Sequence, residues 1–518
     1  MSNENIERKI VIGLISSTEF ITEVRSAYSP KFLQSAMAKR LATWCIEYFD
    51  QYRAAPKQQI ETIYYEKLKN NLDKDIAEEI EQEILPSLNE EYLAEPSDIA
   101  HLIDTTKTYF LSQHLTIHQR QIEALLESGD VDGAENLATD FKSIVISKDP
   151  ALNFANENAL KAVVNAFKEI GKPLISYPGA LGQFWNDQLI PGAFVSLMAS
   201  EKRGKTYRLM EMATRAVKQK RKVAFFQAGD MTEGQQIRRF CIHLTKKSDL
   251  TKYCEEHYQP VKDCIHNQRN TCNKKIRECE FGIFEHMSEA EIRSEVTLAD
   301  LIEQSKEEPD YKTCYNCKEY AENKWGVPFV QKIPKTSPLI LKEAKKAFYE
   351  FYIKNKRNLI LSSHPNGSLS VTSITTLLAE WKRMHNFIPD VIIIDYADLL
   401  IYPPGKLDFR QQQNEIWKQL RALSQKENKP LVITATQADA NSYDTDLLTL
   451  KNFSEDKRKF AHVTAMYGLN QDRHGREKEI GIMRINEIVL REGDFNPKNF
   501  VCVLQNLRRG QPFLGSYF

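Results

Sequence analysis

The chain lacks an excess of charge of either sign. Lys and Arg together number 70, and Asp and Glu together also number 70, in 518 residues. A broad basic face that attracts nucleic acid normally gives a positive net charge. Contacts with DNA would therefore have to come from local patches, or from a ring that gathers one patch per subunit.

Long apolar runs are also missing. No run of about 18 apolar residues occurs, so no membrane-spanning helix and no membrane partner are expected. Residues 1–8 are polar and contain no apolar signal core, which favours a cytoplasmic protein. The sequence contains no internal repeat. Its length exceeds what one hydrophobic core supports, so two or three domains are expected.

Cysteine is scarce outside one region, since six of the nine cysteines lie between residues 254 and 317. In a reducing compartment, such crowding favours a metal site over disulfide bonds. The spacing of Cys314 and Cys317 allows two thiolates to share one Zn²⁺, with Cys264 and Cys272 as the other predicted ligands. Alternative ligands are Cys254, Cys279, His257 and His266.

The second interpretation of these cysteines is that they are reduced and bind no metal. Under the zinc hypothesis, tetrahedral coordination would stabilise residues 248–335, which read as a charged insertion too poor in apolar residues to fold alone.

Residues 1–147 are predicted to form an all-α domain. Apolar residues such as Ile10, Leu14 and Ile21 recur at helical spacing, and further helices are expected over 101–126 and 132–146. Proline and glycine mark residues 148–180 as a linker. Within it, residues 157–170 form an amphipathic helix whose apolar face needs a neighbour to cover it.

Residues 181–518 change to an α/β pattern. Short apolar runs at 194–198, 222–227, 358–362, 391–394 and 431–434 alternate with helical segments. Runs of this kind are typical of strands that are buried on both faces, so a parallel sheet is predicted, interrupted by the insertion at 248–335.

The motif A-x-x-x-x-G-K-T follows the first of these runs. A strand, a tight turn and a helix with Lys and Thr at its start is typical of a loop that wraps the phosphates of a nucleoside triphosphate. Lys205 would reach the β- and γ-phosphates, and Thr206 would hold Mg²⁺. The alternative is a chance G-K-T on a solvated turn, since the pattern normally begins with Gly. The predicted nucleotide-binding residues are Ala199, Ser200, Glu201, Lys202, Arg203, Gly204, Lys205 and Thr206.

Three further polar residues follow apolar runs. Asp395 ends the run at 391–394 and is placed to orient Mg²⁺, unless it is a surface residue that merely ends a strand. Asp230 is the candidate base that polarises the attacking water, or else a helix N-cap. Gln437 could sense the γ-phosphate, or it is a buried polar residue at a strand tip.

These motifs, in this order, resemble the replicative DNA helicases of the DnaB family. The phosphate loop with Ala first, the segment Ala-Gly-Asp-Met at 228–231, the strand ending at Asp395 and the strand ending at Gln437 all resemble family segments. The family has Glu where this chain has Asp230. The resemblance covers most of the chain and implies a RecA-like motor that uses ATP and Mg²⁺, assembles as a hexameric ring and translocates on single-stranded or forked DNA.

The resemblance also implies roles for other segments. Residues 506–510 are similar to a Lys-x-Arg-x-Gly element, in which Arg508 would be an arginine finger that reaches the ATP of the neighbouring subunit. Asn506 replaces the family's Lys, and Arg509 is a candidate substitute. Residues 1–147 would be a helical collar, and the helix at 157–170 would dock on the adjacent motor. A primase and a helicase loader are the implied protein partners.

DNA would meet loops that line the pore of such a ring, through basic side chains. The candidates are Lys406 and Arg410 in residues 402–411, and Lys451, Lys457, Arg458 and Lys459 in residues 438–462. Solvated loop charge is the alternative for each of them.

The sequence thus predicts a ring-forming, ATP-driven replicative DNA helicase of phage type with a cysteine-rich insertion. One alternative is a RecA-like recombinase or ATPase on the same core. Another is a DNA- or loader-binding scaffold that hydrolyses little ATP, which the changes at Asp230 and Asn506 make conceivable.

Overall fold

The computed structural model describes residues 3–68, 99–139, 160, 163–164, 166–167, 172–315, 317, 325–355, 358–402, 407–426, 428–443, 445–452 and 457–518. The chain divides into two compact units, Met1–Lys168 and Glu169–Phe518. Most of the helix predicted over 157–170 lies outside the described residues. None of the helices in the described ranges is both long enough and apolar enough to cross a membrane.

The described part of the N-terminal unit is helical. Its helices are α1 (Asn3–Ser16), α2 (Thr18–Val24), α3 (Ala36–Tyr52), α4 (Gln59–Leu68), α5 (Ile99–Glu127) and α6 (Val131–Thr139). Apolar side chains of α1, α2, α3 and α5 form one buried core, which includes Leu14, Phe20 and Phe110. Ser17 and Ser35 cap α2 and α3, because each hydroxyl accepts a hydrogen bond from a backbone N–H three residues later.

A nine-stranded sheet organises the second unit. Its strands are β1 (Phe194–Ala199), β2 (Val223–Gln227), β5 (Leu359–Ser363), β6 (Val391–Asp395), β7 (Leu431–Gln437), β8 (Ala465–Asn470), β9 (Ile482–Leu490), β10 (Phe500–Asn506) and β11 (Gln511–Tyr517). A separate hairpin pairs β3 (His257–Cys264) with β4 (Gly326–Ile333). The order across the large sheet is β11-β10-β9-β8-β1-β7-β6-β2-β5.

Six adjacent strands run parallel to one another, in the order β8, β1, β7, β6, β2 and β5. Beyond β8, the strands β9, β10 and β11 extend the sheet with antiparallel pairing. The expectation of a largely parallel α/β sheet is therefore confirmed. The antiparallel extension was not predicted, because the sequence pattern does not distinguish it from further parallel strands.

Helices cover both faces of the sheet. The helices of the motor are α7 (Gly179–Trp185), α8 (Lys205–Lys218), α9 (Glu233–Thr245), α13 (Leu341–Asn355), α14 (Val371–His385), α15 (Phe409–Ser424) and α16 (Arg476–Ile480), whereas α10 (Ile265–Gln268), α11 (Glu289–Ser294) and α12 (Leu298–Glu307) lie within the insertion. Side chains alternate along β1, so that Val195 and Leu197 pack in one core with α8, while Phe194 and Met198 pack in another with α15.

The insertion leaves the motor between α9 and α13, two helices that pack against each other. It has an apolar core of its own, which includes Leu301 and Phe329 and continues onto Ile482, Leu504 and Tyr517 of the large sheet. The expectation that this segment is too poor in apolar residues to fold alone stays a prediction, because strands of the large sheet complete its apolar core. Apolar side chains spread thinly along the sequence are gathered by the hairpin and by the surface of the neighbouring strands.

Candidate functional site

The predicted phosphate loop joins β1, the central strand of the nine-stranded sheet, to α8. Ala199 ends β1, Lys205 begins α8, and Gly204 between them has a φ of +84°. A Cβ atom on Gly204 would lie 2.9 Å from Cδ1 of Leu507, so both the backbone angle and the space favour glycine. The loop thus ends on the N-terminus of a 14-residue helix, where backbone N–H groups attract anions.

Lys205 lies over this loop. Its Nζ donates hydrogen bonds to the carbonyl oxygens of Ala199, at 3.0 Å, and Ser200, at 3.3 Å. Burial lowers the pKa of Lys205, and the nearby carboxylates, with Asp398 and Asp395 foremost, act in the opposite direction. A partly desolvated cation at this position is suited to a polyanionic phosphate group.

Asp395 and Thr206 form a second part of the site. The Thr206 hydroxyl donates to Oδ1 of Asp395 at 3.3 Å, and the Asp395 side chain is fully buried. Burial raises the pKa of Asp395 to about 6, and the charge of Asp230 acts in the same direction. Within the described residues, Oδ2 of Asp395 has no hydrogen-bond partner. A hydroxyl beside a buried carboxylate with a spare oxygen fits Mg²⁺, which prefers oxygen ligands and a compensating negative charge.

Asp230 follows β2 in an exposed turn. Gly229 before it has a φ of +106°, and a Cβ there would lie 2.2 Å from Cα of Asn366, so the turn is pressed against a neighbouring loop. The alternative that Asp230 caps α9 is wrong, because Thr232 is the N-cap and forms a capping box with Gln235. Asp230 is instead an exposed carboxylate whose charge acts on both Lys205 and Asp395.

Gln437 ends β7, the strand beside β1, and is directly opposite Ala199 in the register. Its side-chain amide donates to Oε1 of Glu201 in the phosphate loop, at 3.0 Å. The residues predicted around the phosphates therefore come together from three adjacent strands and the loop that follows β1.

Sequence reasoning missed Asp398 and took Lys459 for a cation of a DNA-binding loop. Asp398 follows β6, and its Oδ2 accepts from the Thr436 hydroxyl at 2.8 Å and from the Gln437 backbone N–H at 2.9 Å. Nζ of Lys459, whose side chain is fully buried, lies 2.9 Å from Oδ1 of Asp398. This ion pair, here called the Asp398–Lys459 pair, holds the segment after β7 against the end of β6. The position of Asp398 three residues after Asp395 could have drawn attention to it, whereas nothing local shows that Lys459 is its partner.

Arg508 lies in a turn between β10 and β11. The side chain is exposed, and its guanidinium is 5.7 Å from the ring centroid of Tyr253. Beside it is a cavity of about 420 Å³ that Lys202 and Arg203 of the phosphate loop also line. Nε of Arg509 donates to the Lys246 carbonyl oxygen at 2.8 Å, so this guanidinium is engaged at the end of α9.

The predicted zinc site is not supported. Cys264 and Cys314 are buried, while Cys272 and Cys317 are half-buried. In the described ranges no three His, Cys, Asp or Glu side chains are grouped so that they could hold a metal ion.

The predicted DNA-binding residues fall in three situations. Lys406 lies outside the described residues. Arg410 is exposed in the first turn of α15. Lys451 is exposed, and Lys457 and Arg458 begin a short 3₁₀ turn, Lys457–Ala461, in which Arg458 is exposed. The expectation that Lys459 contacts DNA is wrong, because its side chain is fully buried and paired with Asp398.

No protein-family model and no curated protein sequence matches the chain. Among solved structures, a DnaB-like replicative helicase, described with its interactions with primase, aligns over 98% of this chain and 98% of its own, with 14% identity and a TM-score of 0.47. A second solved structure, an ATPase domain, aligns over 70% of this chain and 100% of its own, with 13% identity and a TM-score of 0.45. With both TM-scores below 0.5, neither similarity supports a conclusion about this chain.

Proposed function

We propose that this protein is an ATP-dependent, ring-forming replicative DNA helicase of phage type. The observation that carries the proposal is the pairing of Thr206, on the helix after the phosphate loop, with the buried Asp395 at the end of a nearby parallel strand. A phosphate loop next to such a carboxylate is the arrangement by which a protein holds a nucleoside triphosphate with Mg²⁺.

In this proposal each residue of the site has one role. The loop N–H groups and Lys205 bind the phosphates, while Thr206 and Asp395 hold Mg²⁺, which would neutralise charge on the phosphate oxygens. Asp230 orients and deprotonates the attacking water from its exposed turn. Gln437 senses the γ-phosphate, and Arg508 stabilises the developing charge on the ATP of a neighbouring subunit.

Assembly into a ring, hexameric in this proposal, is supported by exposed apolar side chains in the linker. Among the described residues of 157–170, Leu160, Val163, Val164 and Phe167 are all exposed. Their spacing of three, four and seven residues places them on one helical face. We propose that this face docks on the motor of a neighbouring copy, with single-stranded DNA, a primase and a loader as further partners.

The test is ATP hydrolysis with and without single-stranded DNA, followed by unwinding of a forked duplex. We expect DNA-stimulated turnover that Lys205→Ala abolishes, while Lys218→Ala at the exposed far end of the same helix retains it. Turnover without unwinding would favour the recombinase alternative. Binding of DNA without turnover would favour the scaffold, and normal turnover by Lys205→Ala would refute the site itself.

A further inference from the structure

The insertion contacts the turn that carries Arg508. The guanidinium of Arg508 lies 5.7 Å from the ring centroid of Tyr253, near the start of the insertion. At this distance a cation is attracted to the face of an aromatic ring. Arg508 is exposed, and the next residue, Arg509, donates to the Lys246 carbonyl oxygen instead. The Tyr253 ring therefore restricts the direction of the Arg508 guanidinium.

Asn506 provides a second contact with the insertion. Nδ1 of His257 lies 2.9 Å from the Glu255 carbonyl oxygen, which can only accept, so Nδ1 carries the proton. The other ring nitrogen, Nε2, is then an acceptor, and the Asn506 amide donates to it at 3.2 Å. The same amide lies 3.4 Å from Oε1 of Gln259, so Asn506 contacts β3 of the insertion at two side chains.

The rest of the turn is fixed on its other side. Leu507 packs against Gly204 of the phosphate loop, and the Gly510 carbonyl oxygen accepts from Nδ1 of His243 at 2.7 Å. The insertion is itself fixed to the strands that flank the turn, since a Cβ on Gly326 at the start of β4 would lie 2.1 Å from Cβ of Tyr517 on β11. The turn is therefore bracketed between the phosphate loop and the insertion.

We infer that the insertion is a positioning element of the ATPase site, and that Tyr253 and His257 hold the Arg508 turn in its working geometry. This inference rests on the proposed function, because it needs Arg508 to act on ATP. Tyr253 and His257 touch no phosphate in this scheme and act only through the arginine. A shift of about 1 Å in a catalytic group can reduce a rate by roughly 100-fold.

A double-mutant cycle tests the inference. The paired change Tyr253→Leu with His257→Ala is made in the natural chain and in an Arg508→Ala chain. We expect kcat to fall by roughly 10- to 100-fold in the natural chain with little change in KM for ATP, since the phosphate loop is untouched. In the Arg508→Ala background, the same pair should change kcat by less than about twofold, because residues that act through one group are not additive.

Two control variants accompany the cycle. Tyr253→Phe keeps the ring face and should retain turnover. His286→Ala removes an exposed histidine of the same insertion and should have no effect. Suppose that Arg508→Ala itself lowers kcat. Equal losses of kcat in both backgrounds, or no loss in the natural chain, would then overturn the inference about the insertion and leave the role of Arg508 intact. Full turnover by Arg508→Ala would overturn the finger assignment and the inference together.

Discussion

The Asp398–Lys459 pair allows a stability prediction that does not depend on ATP. Lys459→Met keeps most of the side-chain volume and removes the charge, which leaves the Asp398 carboxylate with hydrogen bonds from Thr436 and Gln437. Removing one partner of a buried pair costs about 3–5 kcal/mol. The Asp398 side chain is 12% exposed and keeps two donors, so the lower end, about 3 kcal/mol, is expected.

The measurement is thermal unfolding of the full chain, with the transition of the larger unit followed by calorimetry. A loss of about 3 kcal/mol should lower its midpoint by roughly 5 °C. The matched control is Lys451→Met, because Lys451 lies between β7 and β8 as well but is exposed, and a change there should cost less than about 0.5 kcal/mol.

A second substitution separates two effects of Lys459→Met, which are the loss of the ion pair and the burial of an unpaired Asp398 carboxylate. Asp398→Asn added to Lys459→Met leaves a neutral acceptor for Thr436 and Gln437, so the double variant should be more stable than Lys459→Met alone. If Lys459→Met is as stable as Lys451→Met, or if Asp398→Asn adds a further loss instead of a recovery, the reasoning about this pair is refuted.

Two further predictions concern the phosphate and metal site. Burial raises the pKa of Asp395 to about 6, above its value in the unfolded chain. The stability that comes from protonating this carboxyl in the folded state is therefore fully present below a pH of about 4 and is lost as the pH rises through about 6. Asp395→Asn should gain stability relative to the natural chain across that window, as measured by unfolding at several pH values. Gly204→Ala should lower the free energy of unfolding by about 1–2 kcal/mol and weaken nucleotide binding, because Gly204 has a φ of +84° and contacts Leu507. Gly234→Ala in α9, with open space around it, should be neutral or stabilising. Equal effects of the two changes in denaturation and nucleotide titration would contradict this.

The parts of the site that the sequence predicted are those whose geometry is local. A phosphate loop needs only a strand, a turn and a helix start, so residues 199–206 could be recognised as a contiguous motif. Asp395 could be placed because it ends an apolar run, and parallel strands bring their carboxyl ends to the same edge of a sheet.

Other parts depend on contacts between residues far apart in the sequence. Lys459 meets Asp398 across 61 positions, and no pattern near either residue announces the pair. The zinc prediction lacks support in the described residues for a related reason. Spacing suggested that Cys264 and Cys314 share a metal, but whether a thiol is a ligand depends on the burial and polarity around it, which the spacing does not reveal.

The two helices that flank the insertion pack together, so the chain leaves the motor and returns to it at nearly the same place. The entropy of closing such a detour grows only slowly with its length. A change in the length of its exposed loops should therefore cost the fold little free energy. Removal of the whole segment would be different, because it would expose Ile482, Leu504 and Tyr517 of the large sheet to solvent.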